Sequence, residues 1–258
     1  ADGNAADDER EPQIVFEQQT AERRRKDKTE IHAPVLERIR LITLFEGRDI
    51  GNDGVVRRTL DGLEKAGDIE KCAPFRQGLF HVQDISSQLC CLTLRPVVNE
   101  TVLDVCAAPG GKSFTMAELM GNNGKLYSMD LHDMRVGLIE DGAARLGIKI
   151  ITAMQNDASK FNGALPQADR VLCDVPCSGF GVIRRKPEIK YKPPEEFAGL
   201  PEIQYQILET SARYVKSGGT LVYSTCTILP EENEQVTDTF LTEHSDFCRD
   251  GFTLPAPV

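Results

Sequence analysis

Val102-Leu103-Asp104-Val105-Cys106-Ala107-Ala108-Pro109-Gly110-Gly111-Lys112 reads as a buried strand over Val102 to Cys106 that runs into a glycine turn. Ser113 to Met120 then reads as the helix leaving that turn. Strand, glycine turn and helix in this order form a cradle for a nucleotide-like ligand, because the backbone approaches closely and the helix N-terminus offers unpaired N–H groups. Further along the chain, Leu126 to Asp130, Ile148 to Met154, Arg170 to Asp174 and Thr220 to Ser224 read as four more strands, rich in Ile, Val and Leu. Between them, Met134, Leu138, Gly142 and Leu146 share one helix face with Gly147 as the stop, and Ile203, Ile207, Leu208 and Val215 mark a helix ended by Gly218-Gly219. Alternating strands and helices predict an α/β fold with a mostly parallel sheet and with ligands at the carboxyl ends of its strands.

The candidate functional residues gather at those ends. Asp104 to Lys112, Asp130, Asp157, Asp174 with Cys177, and Cys226 each follow an apolar run. N-terminal to this unit the pattern differs. Residues 1–30 are charged and aperiodic, with Arg23-Arg24-Arg25-Lys26 among them, and read as a flexible lead-in. Residues 31–77 read as a small α/β or helical module, with Asp53 as N-cap of a helix carrying Val56, Leu60 and Leu63 on one face and Gly67 as its stop. The catalytic unit is expected over residues 78–258.

Composition limits the function. At 258 residues, 40% hydrophobic and 27% charged, the chain can bury a sizeable core. The acidic N-terminus has no apolar signal region and no run is long enough to span a bilayer, so a cytoplasmic protein without a membrane role is expected. The eight cysteines are expected as free thiols in a reducing compartment. No C-x-x-C pair occurs and the four histidines are scattered, so no metal is expected. A net charge of −10 argues against nonspecific coating of nucleic acid, which needs many Lys and Arg contacts to phosphate. The charge is nevertheless polarised. Arg184 to Lys192 holds five basic residues against one acidic, whereas Glu231 to Asp246 carries six acidic residues and no Lys or Arg. The basic run is either a solvated loop or a phosphate contact, and Arg184, Arg185 and Lys186 are its candidates.

The chemistry is carried by a few short motifs. Gly111-Lys112-Ser113 ends like a P-loop, but the first glycine of that motif would fall on Cys106, so the nucleotide triphosphatase reading fails on spacing. The G-x-G-x-x-G dinucleotide fingerprint is absent too. Asp130 lies about twenty residues past the turn, where a carboxylate takes ribose hydroxyls. That combination suits a nucleoside cofactor without a pyrophosphate, of which S-adenosylmethionine is the common one; a plain surface aspartate is the alternative for Asp130. Asp157 in Gln155-Asn156-Asp157-Ala158 suits an adenine amino group or ordinary turn chemistry equally. In Asp174-Val175-Pro176-Cys177-Ser178-Gly179 the proline restricts the backbone and holds two polar side chains at the strand edge. Cys226, in Ser224-Thr225-Cys226, is either a buried structural thiol or an accessible nucleophile; its place at a strand's carboxyl end favours the nucleophile.

These residues resemble the RNA cytosine carbon-5 methyltransferases, and within them the bacterial RsmB (Sun/Fmu) type that methylates 16S ribosomal RNA. The likeness covers about residues 78–247 and rests on Gly78-Leu79-Phe80-His81-Val82-Gln83-Asp84, Cys106 to Lys112, Asp130, Asp157, Asp174 to Gly179, Gly181 to Pro187, and Tyr223 to Ile228. The resemblance implies a Rossmann-like class I methyltransferase fold that binds S-adenosyl-L-methionine through Cys106, Ala107, Ala108, Pro109, Gly110, Gly111, Lys112, Asp130, Asp157 and Asp174. It implies Cys226 as the nucleophile, Cys177 as the residue assisting product release, and Asp174 and Lys112 as groups stabilising the adduct. The expected partner is RNA, specifically 16S rRNA, and the expected state is a monomer. Another RNA such as tRNA, a DNA cytosine carbon-5 methyltransferase attacking through Cys177, and a noncatalytic RNA-binding scaffold are the alternatives. RsmB-type proteins carry an all-helical RNA-binding domain and a linking module before the catalytic domain, and residues 1–77 are too few for both.

Overall fold

The computed structural model describes residues 13–17 and 69–250. The five apolar runs become β2 (Thr101–Asp104), β3 (Lys125–Asp130), β4 (Ile151–Gln155), β5 (Ala168–Asp174) and β6 (Val215–Ser224). Two further strands, β1 (Gln13–Glu17) and β7 (Cys248–Asp250), complete a seven-stranded sheet in the order β4-β3-β2-β5-β6-β1-β7. Every ladder among the described residues is parallel. The chain steps outward from β2 through β3 to β4, then returns to the other side of β2 with β5 and β6. Strand order therefore reverses between β2 and β5, and the crevice outside their carboxyl ends is where such sheets take ligands.

Successive residues of the central strands feed opposite faces, as the pleat requires. Leu103, Val171 and Leu221 join a core with Ile207, Leu208 and Ala212 of α5 (Leu200–Ala212) and Val236 and Phe240 of α6 (Glu234–Glu243). Val102, Leu172 and Val222 join the other core with Cys90, Cys91 and Leu94 of α2 (Ile85–Leu94), Phe114 and Met116 of α3 (Gly111–Leu119), and Ile139 and Leu146 of α4 (Asp133–Leu146). Ahead of α2, the four-residue α1 (Ala73–Arg76) is tied to α4 by Arg145, whose guanidinium donates to the carbonyls of Phe75 at 2.7 Å and Phe80 at 3.0 Å. Gly78 crosses α4 so closely that a Cβ there would lie 1.8 Å from the Arg145 carbonyl oxygen. Among the described residues no helix is long and apolar enough to cross a membrane.

Four expectations change. Gln13–Glu17, inside the stretch expected as a flexible lead-in, pairs as β1 with β6 and β7; Ile14-Val15-Phe16 is a β-branched and aromatic run that prefers a pleated surface. The stripe that α4 buries is Val136, Ile139, Ala143 and Leu146, while Met134 and Leu138 of the expected stripe are 90% and 51% exposed. At about 100° per residue the buried stripe spans about 80° of the helix, and the expected stripe drifts over about 120°. The helix before β6 ends at Ala212, and Val215 opens the strand opposite Ala168. Gly218 and Gly219 are thus no helix stop: they lie within β6 where the ladder with β5 is irregular, Gly218 at φ +73°. The strand read from Ile148 starts at Ile151, after Gly147 closes α4 in the left-handed conformation. The expected helix after Asp53 lies outside the described residues, as do the remainder of the lead-in and residues 31–68.

The cofactor-type turn is locked to α4 by one side chain. The tip of the Phe114 ring fits between two glycines, and a Cβ added at Gly110 or Gly142 would come within 2.5 Å or 2.3 Å of its Cζ. An added Cβ at Gly137, on the same helix as Gly142, meets nothing within 4 Å. Gly137→Ala should therefore raise stability by about 0.4–1 kcal/mol, as a helix-compatible Gly→Ala change does. Gly142→Ala should instead lower it by about 1–3 kcal/mol through overpacking. Urea unfolding of both variants checks this, and an equal gain at the two positions would show that the slot is not tight.

Candidate active site

The β5/β6 ladder sets Asp174 beside Ser224, the last residues of their strands. Three residues after Asp174 comes Cys177, and two after Ser224 comes Cys226, so the register itself brings the two thiols together. Their Sγ atoms lie 3.0 Å apart, and the Cys226 N–H donates to Cys177 Sγ at 3.2 Å. The two loops are stitched along their length. Val175 N–H donates to Ser224 O at 3.0 Å, Gly181 N–H to Cys226 O at 3.0 Å, and the Ser178 and Thr227 hydroxyls bond at 2.7 Å. Gly179 turns the Cys177 loop at φ +76°.

From the other side of the switch point, α3 begins at Gly111 and aims Lys112 across at Asp174, with Nζ 2.6 Å from Oδ2. Burial works most strongly against charge on this ammonium, but the charge and hydrogen bond of Asp174, with Cys90 and Cys91, together outweigh it and raise the Lys112 pKa, so Lys112 stays protonated. Lys112, Asp174 and Cys226 line a cavity of about 290 Å³, together with Arg185, Lys186 and Asp84. Arg185 ion-pairs with Asp84 at this mouth. Cys177 and Arg184 are not among the lining residues, and Cys177 sits directly behind Cys226.

The two thiols are inequivalent. The hydrogen bond from Cys177 lowers the Cys226 thiol to about 7 against partial burial and the Asp174 charge, with Lys112 and Lys186 adding positive potential. The same bond to Cys226, together with burial, pushes Cys177 well above the ordinary thiol range. Cys226 is also the more accessible of the two. One proton shared by the pair thus resides on Cys177, and the thiolate is Cys226. Cys106 and Cys173 are driven up by burial and remain neutral thiols.

A second cluster lies along β2, β3 and β4. Asp130 ends β3 and accepts from the His132 N–H at 3.1 Å, while Arg135 pairs with it at 3.0 Å and donates to the Ala108 carbonyl at 2.8 Å. Arg135 thereby couples Asp130 to the Cys106-to-Gly111 turn. Asn156 N–H donates to Asp130 O at 3.0 Å and brings Asp157 alongside. Asp157 closes its own turn, accepting from Ser159 N–H at 3.1 Å and Oγ at 2.6 Å and pairing with Lys160 at 2.7 Å, and these bonds lower its pKa. The local turn chemistry left open by the sequence is therefore present.

The turn suits a polar nucleoside ligand. Gln83 Nε2 and Asp104 Oδ1 are buried without a hydrogen-bond partner among the described residues. Gln83 Nε2 lies 3.7 Å from the Cβ position that Gly111 leaves open. Burial raises Asp104 to about 7, despite a 2.6 Å bond from Ser113 Oγ to its other oxygen. Asp104 falls in the Asp104-to-Lys112 stretch read as a candidate functional strand end but not among the expected cofactor ligands, and Gln83 is in neither set. Asp104 was visible only as a strand end, and nothing in the sequence marks Gln83 as facing the turn. Among the described residues no group of three or more His, Cys, Asp or Glu could hold a metal ion.

Comparison with known proteins agrees with this geometry. Residues 91–256 match the family described as 16S rRNA methyltransferase RsmB/F. A Bacillus subtilis protein named "Probable ribosomal RNA small subunit methyltransferase B" is 53% identical over 176 residues, 67% of this chain and 39% of that protein. The Sodalis glossinidius "Ribosomal RNA small subunit methyltransferase B" is 41% identical over 192 residues, 71% of this chain and 43% of its own length. The chain thus spans well under half of these relatives. Among solved structures, "The crystal structure of NSun6 from Pyrococcus horikoshii with SFG" superposes with a TM-score of 0.63 at 30% identity, over 68% of this chain and 45% of that one. "Crystal Structure of PH0851" gives 0.70 at 33% identity, over 78% and 50%. By sequence match and by its α/β methyltransferase fold, the chain belongs to the 16S rRNA methyltransferase RsmB/F family.

Proposed function

We propose that this chain carries the catalytic site of an S-adenosylmethionine-dependent RNA cytosine carbon-5 methyltransferase acting on 16S ribosomal RNA. The observation that carries the reading is the thiol pair, 3.0 Å apart, at a cavity shared with the Lys112–Asp174 ion pair. Carbon 5 of cytosine is a poor nucleophile until a thiolate adds to carbon 6. Cys226, the accessible and more acidic thiol, makes that bond. The electron pair displaced from the ring's double bond raises the nucleophilicity of carbon 5, and the Lys112–Asp174 pair shares a proton with the ring nitrogen and offsets the developing charge.

S-adenosylmethionine supplies the methyl group that carbon 5 accepts. The Cys106, Ala107, Ala108, Pro109, Gly110 and Gly111 turn, Asp130 and Asp157 would hold it, with Asp130 on the ribose and Asp157 near the adenine. The unpartnered Gln83 and Asp104 atoms support a polar group beside the turn. Release then needs a base for the carbon-5 proton. While Cys226 is a thiolate, Cys177 is bound to it and cannot ionise. Once Cys226 is spent in the bond to carbon 6, that restraint disappears; Cys177 then gives its proton to solvent and, as a thiolate, takes the carbon-5 proton, and the electron pair left behind re-forms the ring double bond and expels Cys226 as a thiolate. The coupling thus orders the two thiols in time. Arg184, Arg185 and Lys186 are proposed as phosphate contacts, with Arg185 exchanging its Asp84 partner for phosphate.

Three outcomes test this. In the free protein, alkylation of Cys226 by iodoacetamide should titrate near pH 7, below the roughly 8.5 of an ordinary thiol, and Cys177→Ala should move the midpoint upward. A midpoint unmoved by Cys177→Ala would dissolve the pairing.

RNA carrying 5-fluorocytosine should trap a covalent complex on Cys226, and Cys226→Ala should abolish both trapping and turnover. Cys177→Ala should accumulate a covalent complex with natural RNA, since attack continues while release fails. Peptide mapping that placed the adduct on Cys177 would favour the DNA-type mechanism.

Replacing Arg184, Arg185 or Lys186 by Ala should lower RNA affinity and reduce the salt slope by about 0.7–0.9 per contact, with cofactor binding unaffected. An unaltered slope in binding titrations would return the run to the status of a solvated loop.

A further inference from the structure

The Cys177 turn hangs on a buried polar pair that the mechanism has not used. Glu232 is 2% exposed and Gln204 fully buried, yet neither side chain is near an ion-pair partner among the described residues. Glu232 Oε2 accepts from the Ser178 N–H at 2.9 Å and from Gln204 Nε2 at 2.8 Å, and Gln204 Nε2 also donates to the Pro176 carbonyl at 2.9 Å. The residues before and after Cys177 are therefore both held by this pair. Glu232 is itself anchored to the sheet, because the Tyr223 hydroxyl on β6 donates to its carbonyl at 2.7 Å. The next residue, Asn233, holds the other loop. It accepts from Thr225 Oγ1 at 2.6 Å and donates to Leu229 O at 2.9 Å.

Burying a carboxyl group costs several kcal/mol unless hydrogen bonds compensate, so a residue needed only to fill this space would be apolar. Here the compensation comes from the backbone of the thiol loop. Among the described residues Glu232 Oε1 has no hydrogen-bond partner, which adds to the cost. The Cys177 sulfur lies 3.0 Å from that of Cys226 and accepts from the Cys226 N–H at 3.2 Å, so what Cys177 does to Cys226 depends on where the backbone that carries Cys177 is held.

We infer that Glu232 is a positioning residue for Cys177: through Ser178 and, by way of Gln204, Pro176, it fixes the turn that keeps the Cys177 thiol against Cys226. The inference rests on the reading of Cys177 as the group that releases the product. Glu232 is not among the residues that line the cavity. Its effect is confined to the distance between the two thiols.

The test uses the full chain, natural RNA containing the target cytosine, and S-adenosylmethionine, with Glu232→Ala, Glu232→Gln, Gln204→Ala and Cys177→Ala compared. Glu232→Ala should bind S-adenosylmethionine within about twofold of the unaltered protein, lose about 100-fold in turnover, and accumulate the covalent protein–RNA complex on denaturing gels. Glu232→Gln keeps an acceptor oxygen and should accumulate less. The Cys226 alkylation midpoint should rise in Glu232→Ala as it does in Cys177→Ala. Loss of turnover in step with loss of folded protein, with no complex and no shift in alkylation, would overturn the inference. If Cys177→Ala itself yields no complex, the release role fails, while the alkylation midpoint of Glu232→Ala still decides the positioning role. If Glu232→Ala does not fold, Gln204→Ala, which removes the hold on Pro176, decides by the same two readouts.

Discussion

The register of one parallel ladder governs the site. Asp174 faces Ser224 across β5 and β6, and the lengths of the two loops that follow are what set Cys177 against Cys226. Because side chains alternate along a strand, a slip of one residue would turn Asp174 away from Lys112 and part the thiols at once. The register is protected by burial on both faces. Val171 and Cys173 lie in one core and Leu172 in the other, so a slipped β5 would exchange two fitted sets of side chains. The ladder's irregularity lies at the opposite end of the strands, near Gly218 and Gly219, where it leaves the site's geometry untouched.

Charge then does what the backbone cannot. Placed symmetrically in vacuum, two neighbouring thiols would compete for one proton without preference. The hydrogen bond from Cys177, with smaller help from Lys112 and Lys186, favours a Cys226 thiolate against burial and the Asp174 charge, and the more enclosed Cys177 keeps the proton. Lys112 is itself held by Asp174, so the cation that steadies the thiolate is pinned on the far side of the switch point, at the start of α3. The cofactor-type turn and the thiol loops are therefore joined through α3, which begins at Gly111 of the turn and carries Lys112, the partner of Asp174, at its next residue.

What the sequence made legible was the set of strand ends, since short β-branched runs followed by Asp, Gly or Pro leave few alternatives. Asp130 and Asp174 each end a strand, as read, whereas β2 ends at Asp104, two residues before the Cys106 expected. Helix faces were less legible. On α4 two stripes compete, and the true one, with Val136 and Ile139, is decided by which residues the sheet covers rather than by periodicity alone. Gly218-Gly219 read as a stop because glycine at a helix end and glycine in a distorted strand look alike without the partner strand. The polar groups that hold the site were not legible at all. Glu232 stands in an acidic run that reads as solvated surface, and only the fold reveals that it is buried against Ser178 and Gln204.

The chain's net charge of −10 is a poor guide to its partner for the same reason. Screening limits exposed charges to about 8 Å at physiological salt, so a nucleic acid approaching the cavity senses the residues around its mouth rather than the sum over the chain. At that mouth Lys112, Arg185 and Lys186 supply three cations, and Asp84 and Asp174 are each already engaged with one of them. Part of the acidic run from Glu231 does not face solvent, because Glu232 is buried and accepts from the Ser178 N–H and from Gln204 Nε2. A protein that is acidic overall thus has a locally cationic cavity mouth, and one residue of its acidic run, Glu232, is turned inward to hold the loop that carries Cys177.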